Sequence, residues 1–338
     1  MVHIGGGDWM VVDSCVHRDG EPAALRHLAS IDVPASRVVY VVASHWHDDH
    51  IRGFSELAGR CENAAIACSD ALEHDEFLGL IETDEHALLS GHSGVRELRR
   101  TLHTAADSHR TLEWAIADRL LLREPQSEER PGSEVWALSP SSASVSEARL
   151  RFGNLLPRPS AAIRAVPRPA RNPACVVLLV RIGGTDLLLG ADLERSADTA
   201  QGWTAVVSST ARPSTPAHFV KVPHHGSYDA HDDRMWSELV GDDPHAAVTP
   251  FNAGRVRLPR ASDISRIAAL TPNAWLTRAR ADAPSRSRPR AVERTIKEVA
   301  RSMRTISVEP GKVTFRCEAD DPATWQVIPS PAAVRIPA

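Results

Sequence analysis

Val38-Val39-Tyr40-Val41-Val42-Ala43-Ser44-His45-Trp46-His47-Asp48-Asp49-His50 is the stretch on which the reading of this chain turns. It opens as an apolar, β-branched run, the pattern of a buried strand. It then changes within one residue to three histidines and two aspartates in six positions. Beyond it, Ile51, Phe54, Leu57 and Ala58 recur at helical spacing, and Gly59 offers a stop. The hexad therefore belongs at the carboxyl end of a strand, on a loop that turns into a helix. Imidazole nitrogen and carboxylate oxygen suit zinc and related divalent ions. In an extended segment, His45 and His47 point the same way, because side chains two apart share a side. Asp49 and His50 follow where the chain turns and face a neighbouring point, so one loop can serve two metals. The competing reading is a merely polar, histidine-rich loop. A cluster this dense directly after a core strand argues against it, since unpaired polar groups are costly to bury.

Two further segments repeat the pattern of a strand ending in ligands. Cys175 to Ile182 is a continuous apolar run, Gly183-Gly184 reads as a two-residue hairpin turn, and Thr185-Asp186-Leu187-Leu188-Leu189 returns to Gly190-Ala191-Asp192-Leu193-Glu194. Asp192 stands at a strand end after a glycine, as a metal-site carboxylate would; a helix N-cap is the other role open to it. Phe219-Val220-Lys221-Val222-Pro223-His224-His225-Gly226-Ser227 is again a strand that ends in histidines. Adjacent histidines point in different directions, so one of the two is expected to ligate. His225 is taken as the ligand and His224 as a residue lining the cleft, binding the substrate anion or donating a proton; the reverse assignment stays open.

The hexad resembles the H-x-H-x-D-H signature of metallo-β-lactamase-fold hydrolases. The ordered series Asn172 to Leu179, Leu188 to Glu194 and Lys221 to Ser227 resembles the soluble hydrolase domain of the competence protein ComEC and its stand-alone relatives. The likeness covers roughly residues 1–280. It implies an αββα sandwich of two mixed β-sheets flanked by helices. It implies a binuclear centre for two divalent ions, Zn2+ or Mn2+. His45 and His47 would hold the first, Asp49, His50 and His225 the second, and Asp192 would bridge. Asp13, at the end of strand Trp9–Asp13 after the glycine-containing opening Gly5-Gly6-Gly7, would support the metal loop by hydrogen bonding; a turn residue is the plainer reading. Catalysis would use a metal-bound hydroxide oriented by Asp49, with His224 protonating the leaving oxygen. Such relatives act on nucleic acid as nucleases or phosphodiesterases, or cleave phosphocholine esters. Two departures stand out. Many family members carry a further histidine ligand where this chain has Asn172, so that site would be weaker or completed by water, His92, His103 or His109. Where relatives show a histidine before a proline, this chain has Leu258-Pro259.

The remaining sequence bounds the setting. The 338 residues, 42% hydrophobic, suffice for a large core, and the net charge of −4 says little about partners. Five scattered cysteines, the lack of a signal-like opening and of any run of about 20 apolar residues are what a cytoplasmic protein with no membrane partner would show. One metallo-β-lactamase-like domain over 1–338 is expected, with a helical insertion at about 61–133 and a basic C-terminal extension at about 281–338. Within these, helices are read over about 93–106, 108–123 and 262–270, the last capped by Ser262. The opening lies so close to strand Trp9–Asp13 that it leaves little room for a preceding strand. Residues 278–304 hold nine Arg or Lys, and 153–173 form a Pro- and Arg-rich loop. Both tilt the reading towards a nucleic acid or other phosphodiester substrate. Hydrolysis of a small ester or lactone, and a regulatory module with a vestigial site, are the rivals.

Overall fold

The structure is a computed structural model, and it describes residues 1–73, 93–155, 174–253, 256–279 and 310–337. Two β-sheets lie face to face with helices outside both, the four-layer αββα arrangement expected from the sequence. The first sheet has strand order β1 (Val2–His3), β2 (Trp9–Val12), β3 (Val38–Ala43), β4 (Ala65–Ser69) and β5 (Leu112–Ala115). It is parallel except for β1, a two-residue strand that pairs antiparallel with β2 despite the short lead. The second sheet contains β6 (Arg119–Glu124), β7 (Ser133–Ala137), β8 (Leu178–Ile182), β9 (Thr185–Leu189), β10 (Ala217–Lys221), β11 (Val240–Val248), β14 (Ala274–Leu276) and β17 (Val334–Arg335). Its order is β17-β14-β11-β10-β9-β8-β7-β6, with β9, β10, β11 and β14 mutually parallel. The β12–β13 pair (Phe251–Ala253, Val256–Leu258) and the β15–β16 pair (Val313–Glu318, Asp321–Pro329) are separate hairpins.

The α-helices among the described residues are α1 (Ala23–Ser30), the single turn α2 (Asp48–Ile51), α3 (Phe54–Arg60), α4 (Ser93–Asp107), α5 (Ser142–Leu155), α6 (Gly202–Ser208) and α7 (Ala261–Leu270). Alternation along the strands sorts side chains into three apolar layers. Met10, Tyr40, Val42, Val135, Leu178 and Val180 fill the space between the sheets. Val11, Val41 and Ile66 face outwards with Leu25, Leu57, Leu98 and Phe152 from the helices. Val220, Ala246 and Val248 pack outwards against Trp203, Val206 and Ile267. The larger second sheet extends past the first, and β15–β16 covers part of it: Phe315 lies 4.9 Å from Phe219, and Trp325 lies 5.0 Å from His245.

Several expectations are corrected. Residues 108–123 do not form a helix. They form β5, a left-handed turn residue at Asp118 (φ 63°), and the first part of β6. The Leu, Ala, Glu and Arg content suits a helix, but pairing with β4 and β7 overrides that weak preference. Among its described residues, the segment 61–133 supplies α4, a 3-10 turn at Asp70–Leu72 and strands to both sheets; residues 74–92 lie outside the described residues. Helix α5 occupies 142–155, where the sequence suggested no element and, from 153, a loop. The remainder of the Pro/Arg loop and most of the basic segment lie outside the described residues. Helix α7 starts at Ala261 rather than at a Ser262 cap, and the buried Asp263 carboxylate accepts from the Arg260 N–H at 2.8 Å. Among the described residues, no helix is long and apolar enough to cross a membrane.

Candidate metal centre

Every predicted donor sits at the carboxyl end of a parallel strand. β3 delivers His45 and His47, α2 carries Asp49 and His50, β9 runs into Asp192, and β10 runs into His224 and His225. Parallel neighbours end on the same side, so topology alone gathers these loops at one edge of the sandwich. Two groups of potential ligand atoms result. Asp49, His50, Asp192 and His225 form one, and His45, His47 and Asp192 the other; within each, the atoms lie within 4.8 Å of one another.

Asp192 joins the two groups. Its Oδ1 lies 3.2 Å from His50 Nε2, and its Oδ2 lies 3.7 Å from His45 Nε2 and 3.6 Å from His225 Nε2. Asp49 Oδ2 is 3.1 Å from His225 Nε2 and 3.7 Å from His50 Nε2. Asp192 sits in a turn, and no helix begins there, which removes the N-cap reading. His224 stands apart from both groups. Its side chain is 25% exposed, and its Nδ1 lies 3.4 Å from Glu194 Oε1. Of the two histidines, then, His225 is the one among the donors and His224 the one at the rim. Asn172 and His92 lie outside the described residues. His103 and His109 are exposed and belong to neither group.

The donors are fixed from behind. Asp13, directly after β2, accepts from Ser44 N–H, Ser44 Oγ and His50 Nδ1, each at 2.7 Å. The expected support of the loop by Asp13 is thus present, although Ser44 gave no sign of it in the sequence. His225 Nδ1 donates to the Thr249 carbonyl at 2.9 Å, and its ring stacks on Phe251 at 5.0 Å. A donating Nδ1 leaves Nε2 to face the centre, the arrangement in which metal-binding histidines are held. Neither Thr249 nor Phe251 was legible beforehand: one acts through its backbone, the other through shape. Helix α4 braces the loop from outside. Gly94 N–H donates to Asp48 Oδ1 at 2.8 Å, and Glu97 accepts from Ser55 N–H and Oγ at 3.1 and 2.7 Å. The backbone is left-handed at Asp13, Ala191, His224 and His225 (φ 59°, 44°, 43° and 54°). Such angles in non-glycine residues concentrate at functional sites.

Charge and burial fit divalent ions. Burial, with His50 nearby, holds the His45 imidazole well below its ordinary pKa. Burial also acts to lower His50, but Asp192 and Asp13 outweigh it and push that imidazole well above. Burial would raise the Asp192 carboxyl, yet His50 and His45 hold it well below the usual range; Asp49 is lowered against burial by His225 and His50. Nε2 of His45 is buried and makes no hydrogen bond among the described residues, while Nε2 of His50 meets only the Asp192 carboxylate. Each such orphan costs about 1–3 kcal/mol, so buried polar atoms of this kind call for a partner. Inward nitrogens and two carboxylates are a donor set that zinc-like ions satisfy. A buried Asp192, an exposed Asp49 and imidazoles aimed at a common point thus fit divalent ions.

Residues 1–129 match the family model described as metallo-beta-lactamase superfamily, a span that holds the first sheet, the ligand loop and β6. No curated protein matches the chain. Asp192 and His225 fall beyond the matched span, and geometry alone brings them to its ligand loop. The sandwich, the strand-end donors and the match together give the chain the metallo-β-lactamase fold, carried in sequence by a superfamily domain over residues 1–129.

Proposed function

We propose that this protein is a binuclear metal-dependent hydrolase that cleaves phosphodiester bonds in nucleic acid. The observation that carries the reading is the pair of donor groups sharing Asp192. His45 and His47 would hold one divalent ion, zinc being the best match to the nitrogen-rich donors; Asp49, His50 and His225 would hold the other, and Asp192 belongs to both donor groups. When bound, such a pair supplies Lewis acidity and an activated water for in-line displacement at phosphorus. The chain's own residues do the rest. Asp49, with its Oδ2 beside His225 and His50, orients the attacking group. His224, at the rim beside Glu194, would protonate the departing oxygen; burial lowers its pKa, and Asp192 and Asp229 oppose that shift. Asp13 and Thr249 keep the imidazoles turned inwards. The preference for phosphate rests on the arginine-rich sequence at 153–173 and 278–304.

Elemental analysis of the purified protein should find about two metal ions per chain. The loaded protein should hydrolyse bis-(p-nitrophenyl) phosphate and shift single-stranded or double-stranded nucleic acid at low salt. Asp49→Ala should abolish turnover. A folded protein that takes up no metal, or a loaded one that cleaves carboxylic esters or lactones but no phosphodiester, would overturn the proposal.

A further inference from the structure

Three residues beyond His225, Tyr228 exposes 56% of its surface, an unusual position for a large aromatic on a short, well-braced loop. Two guanidinium groups lie against its ring: Arg195 at 4.7 Å and Arg266 at 5.5 Å from the centroid. They differ in kind. Arg266 is committed to structure, since it donates to the buried Asp263 carboxylate at 2.8 Å and to the Gly226 carbonyl at 2.6 Å. In this way α7 pins the histidine loop. Arg195 is exposed, and among the described residues no carboxylate lies within ion-pair distance of it; its guanidinium donates to the Tyr228 carbonyl at 3.3 Å. Its backbone N–H donates to the Asp229 carbonyl at 2.9 Å, and His224 N–H donates to the Ala191 carbonyl at 2.9 Å, so two backbone hydrogen bonds tie the Asp192 and His225 loops together. Of the acids on these loops, Glu194 lies 3.4 Å from His224 Nδ1, Asp232 accepts from Met235 N–H at 3.0 Å and Asp233 meets His231 at 3.0 Å, while the exposed Asp229 makes no ion pair with Arg195. The result is a wet aromatic ring and an unneutralised cation, both fixed to the loops that carry two of the metal-centre donors.

We propose that Tyr228 and Arg195 form a nucleotide subsite beside the metal centre, where the ring stacks a base and the guanidinium contacts a backbone phosphate of a single strand. The subsite rests on the phosphodiesterase reading above and names its substrate as an unpaired strand with exposed bases. Aromatic rings and arginine planes are the usual partners of unstacked bases, and such stacking tolerates any sequence.

Binding of a fluorescein-labelled oligothymidylate with cleavage-resistant phosphorothioate linkages to the metal-loaded full chain is measured by anisotropy. Tyr228→Ala should weaken binding about 5- to 100-fold, the range set by loss of one stacked base. Tyr228→Phe, which keeps the ring face, should bind like the unaltered protein. An abasic strand of equal length should bind the unaltered protein no better than it binds Tyr228→Ala. Arg195→Gln should weaken both strands and reduce the salt slope by about one unit. With the zinc-loaded chain, Tyr228→Ala should raise KM for the oligonucleotide far more than it lowers kcat. Circular dichroism of each variant guards against misfolding. Undiminished binding by Tyr228→Ala, or equal losses in Tyr228→Phe and Tyr228→Ala, would overturn the subsite. Hydrolysis of bis-(p-nitrophenyl) phosphate without oligonucleotide binding would overturn the subsite and leave the centre standing. Tyr228-dependent binding by a chain that takes up no metal would do the reverse.

Discussion

Asp13 accepts three hydrogen bonds, two from Ser44 and one from His50, so a single carboxylate sets both the start of the ligand loop and the direction of its last histidine. Asp13→Ala should weaken zinc affinity about 10- to 100-fold, the usual cost of losing an orienting partner. It should also destabilise the protein by about 2–3 kcal/mol, roughly 1 kcal/mol for each bond lost. Chelator competition and thermal unfolding test the two; unchanged affinity would show that Asp13 only shapes a turn. Residues of this kind were partly legible. His45, His47, Asp49, His50, Asp192 and His225 announce themselves because ionisable side chains after apolar strands have few other uses. Thr249 and Ser44 do not: what matters is a carbonyl in the first and a common hydroxyl in the second, and neither stands out in sequence from inert neighbours.

Between elements, the contact of greatest consequence is that of α4 with the ligand loop. A Cβ at Gly94 would run into the Trp46 carbonyl oxygen, which backbone cannot yield cheaply. Gly94→Ala should therefore displace the loop between His45 and His47, lowering stability by about 1–3 kcal/mol and weakening metal binding with it. Thermal unfolding with and without zinc reads both effects; an unchanged pair of values would mean that α4 is a bystander. Strands β6, β7 and β8 form an edge tied by Glu134. It accepts from Trp136 Nε1 at 2.9 Å and Arg123 Nε at 3.0 Å, and these bonds hold its carboxyl below the ordinary value of 4.5. A depressed carboxyl stabilises the fold above its unfolded pKa, and that contribution fades as pH falls through the folded value. Because Arg123 is 69% exposed, the effect is small, about 0.5–1 kcal/mol. Denaturant titrations from pH 6 to about pH 3, followed by circular dichroism, should show a shallower acid loss in Glu134→Gln. The same edge shows where sequence periodicity fails. Arg119-Leu120-Leu121-Leu122-Arg123 carries helix-forming residues, and only its neighbours across the sheet make it a strand. By contrast, Val38–Ala43 is a strand over the expected residues because a β-branched apolar run bounded by polar residues admits little else, and Thr185–Leu189 is one because the Gly183-Gly184 turn folds it back on the apolar run before it.

At the scale of the molecule, the two sheets meet twice: through the apolar layer around Tyr40, Val135 and Val180, and through the donors. The first sheet contributes His45, His47, Asp49 and His50, and the second contributes Asp192 and His225. Bound ions would therefore act as a cross-link between the sheets, present only in the folded state. Zinc at about 100 times its dissociation constant should add about 2.7 kcal/mol per site, and EDTA should remove it. Differential scanning calorimetry should show one cooperative transition that rises with zinc; a transition indifferent to metal would sever the centre from the fold. The two-sheet plan was readable because the strand-then-ligand pattern occurs in both halves. The docking of β15–β16 over Phe219 and His245 was not, since nothing local in that hairpin says which surface it covers.

The left-handed backbone at Asp13, Ala191, His224 and His225 carries a last implication. Four side-chain-bearing residues keep conformations that a free peptide shuns, and the surrounding hydrogen bonds leave them no retreat. A pocket set this firmly in advance has little left to rearrange when its cargo arrives. It would gain speed and selectivity from that rigidity, and would forfeit the tolerance for misshapen substrates that a softer rim allows.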